Sequence, residues 1–151
     1  LAGFNRILMV LEGELALEHE GHHMSELKPF QQDHFKGEWR TTSKGLAVDF
    51  NLIFADNCDA VLDVLDIYPD QSTMLQGDGC RGKENGDLCR AIFAVNGELT
   101  IGVEGGAICE LKQGDLFLMT IPEGCPASGL TVANPGMEPT RLLDAQFFIG
   151  G

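Results

Sequence analysis

From Arg6 to Leu17 the chain reads Arg-Ile-Leu-Met-Val-Leu-Glu-Gly-Glu-Leu-Ala-Leu, with apolar residues at nearly every position of both parities. That pattern predicts a pair of strands covered on both faces and joined by a turn at Gly13. The same phrase recurs at Arg90 to Ile101, again arginine, apolar run, Gly-Glu-Leu, apolar run. Leu46 to Phe54 alternates with period two, which places Asp49, Asn51 and Ile53 on one face and Val48, Phe50 and Leu52 on the other. Further extended runs are predicted at Leu27 to Phe30, Ala60 to Tyr68, Ile108 to Leu111, Leu116 to Met119 and Arg141 to Ile149. In the last of these Asp144 and Gln146 share a face, as Asp49 and Asn51 do. Helical periodicity is almost absent, so the pattern predicts an all-β jelly-roll type sandwich or barrel.

The repeat holds a constant offset of 84 from Arg6/Arg90 through Leu27-Lys28/Leu111-Lys112. Matching Asp49 to Asp144 requires an offset of 95, so the second copy carries about 11 more residues in its loops by this alignment. Two modules follow, 1–75 and 88–151, packed as one body and joined by the glycine- and charge-rich stretch 76–87. The chain opens on Leu1 within a strand phrase, which leads us to expect polypeptide upstream.

Charge narrows the partners. A net charge of −13 opposes binding to nucleic acid or to an anionic membrane surface, so an anionic ligand has to be met by local positive charge. No apolar run reaches the ~20 residues of a membrane helix. Five cysteines without a CxxC pair indicate neither a disulfide framework nor a zinc knuckle, and reduced thiols in a cytoplasmic protein are the expectation.

The Gly-Glu-Leu turn between apolar strands resembles the first cupin motif, in which a metal-ligating glutamate stands seven residues before the glycine. Seven before Gly13 is Arg6, and seven before Gly97 is Arg90. The second half also has Ala127 where the second motif has its histidine. The resemblance therefore implies a metal-free second half, and in the first half the His-x-His pair falls at or before Leu1. Gly3-Phe4-Asn5-Arg6-Ile7-Leu8, Leu11-Glu12-Gly13, Lys28-Pro29-Phe30, Phe35-x-Gly37 and Asp49-Phe50-Asn51-Leu52 together resemble the HutD/Ves family of cupin-like proteins. That family's N-terminal Trp-Arg-Asn and glycine-rich segment has no counterpart here. The resemblance implies a two-module cupin (bicupin) fold and a link to bacterial histidine utilisation or stress response. It also implies that a pocket arginine, Arg6 here, binds a small acid such as formate or formylglutamate.

A guanidinium among apolar strands needs a counter-charge, because an unpaired buried charge costs several kcal/mol. The residues leave two readings open. In one, Arg6 pairs permanently with Asp49 as Arg90 does with Asp144. In the other, Asp49 and Asn51 orient Arg6 while guanidinium donors stay free for a ligand carboxylate, each charge-assisted bond worth roughly 1.5–3 kcal/mol. We take Arg6, with Asp49, Asn51 and His34, as the ligand site, and Arg90, Asp144 and Gln146 as its structural counterpart. His19, His22 and His23 fall in one polar stretch and are read as a solvated loop, so no metal and no cofactor are expected. Phe30 and Trp39 read as core, and the loop from Gly82 to Gly86 lacks the context of a phosphate loop. The expected function is carboxylate sensing or regulation without catalysis. The competing readings are a cupin enzyme and an interaction module. The enzyme would be either cofactor-free, with Asp49 or His34 as base, or metal-dependent through residues upstream of Leu1; in the module a second subunit, as in a homodimer, covers the strands.

Overall fold

The computed structural model describes residues 1–75, 86–125 and 129–149, and among them every regular element is a strand. In chain order these are β1 (Phe4–His19), β2 (Met24–Leu27), β3 (Gln32–Lys36), β4 (Thr41–Ala55), β5 (Cys58–Ile67), β6 (Ser72–Leu75), β7 (Asp87–Ala94), β8 (Leu99–Val103), β9 (Ile108–Leu111), β10 (Leu116–Ile121), β11 (Leu130–Ala133) and β12 (Thr140–Ile149). Two units result, Leu1–Asn57 and Cys58–Gly151. The division falls earlier than the expected boundary near residue 75, because β5 pairs with β12 and β6 with β11, which makes both strands part of the second unit. Residues 76–85 of the expected connecting loop lie outside the described residues.

In the first unit β1 is the spine. β4 runs antiparallel to it along its whole length, while β3 and β2 follow one another along its other edge. The expected turn at Gly13 is a bend within this continuous strand. A bulge between Val10 and Glu12 adds one residue to β1 and so inverts its parity. Even-numbered Leu8 and Val10 therefore share an inner face with odd-numbered Leu15 and Leu17, and together with Leu27 and Phe35 they make the core. Burial of such side chains is worth about 1.5–3 kcal/mol each.

The bend is large. Asp33 is paired opposite Leu8, and His19 lies eleven residues further along β1, about 36 Å away if the strand were straight. The His19 and Asp33 side chains nevertheless meet at 2.9 Å, so β1 curls back until the two ends of its inner face touch. Gly13 permits this, with φ at 78° and a backbone so close to β4 that an added Cβ would run into the Leu46 carbonyl oxygen.

The second unit repeats this plan in two sheets, ordered β10-β7-β12-β5 and β6-β11-β8-β9. Here the chain does turn between β7 and β8, at Gly97, where the first copy stays continuous. The neighbours of β7 are β10 and β12, matching β3 and the end of β4; those of β8 are β9 and β11, matching β2 and the start of β4. Its core is Ile67, Leu75, Ile92, Ala94, Leu99, Ile101, Leu111, Leu130, Val132 and Leu142.

Gly13→Ala is expected to cost clearly more in urea unfolding than Gly21→Ala. Gly21 has a similar φ of 77° but open space around it, so its substitution should cost only the ~1–2 kcal/mol of a left-handed non-glycine residue. Equal costs would contradict the close approach of β1 and β4.

Candidate functional site

The duplicated arginines have different surroundings. Arg90 on β7 is directly opposite Gln146 on β12, and the side chain two residues along β12 on the same face is Asp144. Arg90 Nε and Nη2 donate to the two Asp144 carboxylate oxygens at 2.9 and 2.7 Å, both side chains being almost fully buried. This two-pronged geometry is the strongest form of ion pair and satisfies the guanidinium internally.

Arg6 on β1 is directly opposite Ile53 on β4, and the residue at the same diagonal is Asn51. The same two donor atoms reach the single Asn51 Oδ1, Nε at 3.2 Å and Nη2 at 2.9 Å. Structurally, then, Asn51 corresponds to Asp144, an offset of 93, and the Asp49/Asp144 match at offset 95 is a misalignment by two residues. Asp49 lies one step further along, opposite Val10, and accepts a hydrogen bond from Asn51 Nδ2 at 3.0 Å. A guanidinium can only donate and a carboxylate only accept, so the Asn51 amide sits between them in its one workable orientation. The permanent Arg6–Asp49 pair does not form. Among the described residues Arg6 has no carboxylate within ion-pair distance, and Nη1 makes no hydrogen bond.

Arg6 is half-buried, with its guanidinium carbon 4.9 Å from the centre of the Phe35 ring, an arrangement that favours the cation without neutralising it. It borders a groove of about 230 Å³ lined by Asn5, Arg6, His34, Phe35, Lys36, Trp39 and Phe54. Lys36 is already paired with Asp56 at 2.9 Å. His34 lies on the rim. Its neighbour Phe35 faces Arg6, so the alternation of β3 turns His34 to the other side of the strand, where its Nε2 contacts Gln32 Oε1 at 3.0 Å. A larger groove of about 370 Å³ elsewhere on this unit contains Glu14 and Glu26 beside Lys28 and Lys44. Its mixed charge makes it the poorer anion site despite its size.

The histidines were the least legible part of the chain. His19 is not in a solvated loop but ends β1, fully buried, with Nδ1 2.7 Å from Thr41 Oγ1 and Nε2 2.9 Å from Asp33 Oδ2. His23 Nε2 approaches the same carboxylate at 2.9 and 3.1 Å. Burial pushes the Asp33 carboxyl up, but hydrogen bonds from His19, His23 and Ser25 and the nearby His23 charge outweigh it and hold Asp33 below the usual carboxylate range. Trp39, expected in the core, is only partly buried: it packs against the core from outside, lines the Arg6 groove and carries His22 stacked on it at 3.8 Å. No local spacing points to the cluster, because Asp33 reaches His19 only through the curl of β1. Cys58, Cys89, Cys109 and Cys125 are free thiols.

The family model described as HutD matches residues 1–136. No curated protein matches the chain. Among solved structures, a conserved protein of unknown function from Pseudomonas aeruginosa superposes with TM-score 0.78 at 22% identity, over 98% of this chain and 72% of that one. HutD from Pseudomonas fluorescens, solved in a formate condition, superposes with TM-score 0.58 at 19% identity, over 96% and 69%. An oxalate decarboxylase mutant from Bacillus subtilis gives TM-score 0.65 at 9% identity, over 98% and 64%. At these identities the likeness establishes the cupin fold.

Asp144→Ala should destabilise the second unit by about 3–5 kcal/mol by stranding a buried guanidinium, whereas Asn51→Ala should cost far less because Arg6 is half-solvated. Comparable losses in chemical denaturation would contradict the difference between the two arginines. A second expectation follows from the sign of the Asp33 shift. Its ionised form contributes stability above the ordinary value of 3.8 and loses that contribution as pH falls through its lower folded value. The stability gap between the native chain and Asp33→Asn should therefore be greatest at neutral pH and close in acid; a gap independent of pH would contradict it.

Proposed function

The chain belongs to the HutD family, and from that premise we propose that its first unit binds a small carboxylate through Arg6 and serves metabolite sensing or regulation connected with histidine utilisation or stress response. One observation carries the reading. The guanidinium that would be neutralised by a carboxylate at the equivalent position of the second unit meets an amide instead, and so keeps charge and donors for a ligand.

The parts have distinct tasks. Asp49 holds the Asn51 amide, and Asn51 holds two guanidinium donors, which fixes the plane of Arg6 and leaves Nη1 directed away from both. A carboxylate oxygen accepting from Nη1 and from the remaining Nη2 proton makes two charge-assisted bonds. His34, at the groove's edge, meets a longer acid only by giving up its Gln32 contact. In a chain of net charge −13 this local cation is what draws an anion in. The groove, at about 230 Å³, suits formate or a formylglutamate-like acid better than a large ligand. The formate condition of the Pseudomonas fluorescens HutD structure is in keeping with that ligand class. A cytoplasmic, homodimeric protein without catalytic activity is the setting we propose. No helix of the described residues is long and apolar enough to cross a membrane.

Formate, formylglutamate, urocanate and glutamate, screened by thermal denaturation, should include at least one that raises the melting temperature. Saturation at about 100 times Kd supplies about 2.7 kcal/mol. Arg6→Ala should abolish the shift. No shift with any acid, or an equal shift in Arg6→Ala, would contradict carboxylate binding at Arg6.

A further inference from the structure

The curl of β1 has a second chemical result on the inner face of the first unit. It brings two imidazoles and a carboxylate to one point, with one ligand atom from each of His19, His23 and Asp33 within 4.8 Å of the others. We propose that these three residues form a site for a divalent first-row transition metal ion of the zinc or cobalt kind, with at least one coordination position open to solvent or to a ligand.

The donor set selects the metal class. Two neutral imidazole nitrogens with one carboxylate suit borderline ions such as Zn²⁺, Co²⁺, Ni²⁺ or Fe²⁺, whereas Ca²⁺ and Mg²⁺ require mostly oxygen ligands. His19 has the support that a ligating histidine needs. Its Nδ1 is held by Thr41 Oγ1 at 2.7 Å, and its ring packs at 4.5 Å from Phe35 and 5.7 Å from Trp39, which aims Nε2 at Asp33. The two Nε2 atoms meet different sides of one carboxylate, His19 at Oδ2 and His23 closest to Oδ1. A metal ion replaces the two Nε2 protons that these contacts otherwise require, and the three ligand atoms then draw together to the ~2.0–2.2 Å metal–ligand distances of such sites.

His23 is the residue able to make that adjustment. It lies just beyond the end of β1, its side chain 39% exposed, against 0% for His19 and 10% for Asp33. The same exposure supplies the entry path and the open position. The net charge of −13 favours a cation. The site is separate from the ligand-glutamate position of the cupin motif, which Arg6 fills. Phe35 touches both centres, with the Arg6 guanidinium on it at 4.9 Å and the His19 ring at 4.5 Å.

The test is calorimetric titration of the full chain, freed of metal with a chelator, with Zn²⁺ and separately with Co²⁺. Saturable binding of one equivalent is expected, weakened at least ~10-fold in His23→Ala and in Asp33→Asn and unchanged in Arg6→Ala. His23→Ala is the decisive variant because its half-exposed ring can be removed without opening the core, and circular dichroism of the metal-free protein verifies its fold. Absence of one-to-one binding would overturn the proposal, as would equal affinity in folded His23→Ala, which would place the ion elsewhere, for instance on the free thiols. Since Arg6→Ala removes the carboxylate contact and spares the metal ligands, the two sites fail independently.

Discussion

A guanidinium in a β-sheet can take its counter-charge only from positions its side chain reaches, and in an antiparallel pair these are the residue opposite and the one two places along on the same face. Both units obey this rule with the same arginine atoms. In the second unit the reachable position is Asp144, and the charge is neutralised inside the protein. In the first unit the equivalent position on β4 is Asn51, and the carboxylate two residues further along that strand, Asp49, accepts a hydrogen bond from the amide instead. The strand pairing around the arginine is the same in both units, so an amide for a carboxylate at one equivalent position changes the electrostatics without changing the sheet.

The same sheet geometry assembles the rest of the first unit. The bulge between Val10 and Glu12 lets one strand present even residues and then odd residues to the same side, and the bend at Gly13 folds that side on itself. Arg6, Asp33, Phe35, Asn51 and His19 are spread over 46 residues of chain yet belong to one concave surface. Phe35 is its middle, flanked by the cation on one side and by the His19 ring on the other. Burial of Leu8, Val10, Leu17 and Leu27 beside it supplies the packing that keeps these polar groups in place.

Much of this was legible in the amino-acid sequence, and the failures have physical causes. The duplicated phrase and its offset of 84 locate equivalent arginines, and the offset holds for β2 and β9. Period two correctly puts Asp49, Asn51 and Ile53 on one face. It says nothing about the register of that face against β1, because a slip by two conserves the pattern, and so the pattern alone aligns Asp49 with Asp144. Short polar strands also escaped: β3, reading Gln-Asp-His-Phe-Lys, has only one apolar residue turned inward. With β3 unseen, the partner of His19 was unseen too, and the histidines looked like a loop. Gly13 read as a turn because glycine marks both a reversal and a sharp bend, and only the pairing with β4 separates the two.

The central claim is that an amide in place of a carboxylate makes Arg6 available. It is tested most directly by calorimetric titration of formate into the native chain and into Asn51→Asp, which gives the first unit the side chain the second unit has. Formate is expected to bind the native chain, and Asn51→Asp, its fold verified by circular dichroism because the new carboxylate also faces Asp49, is expected to lose that binding as the guanidinium is neutralised from within. Undiminished formate affinity in Asn51→Asp would contradict it.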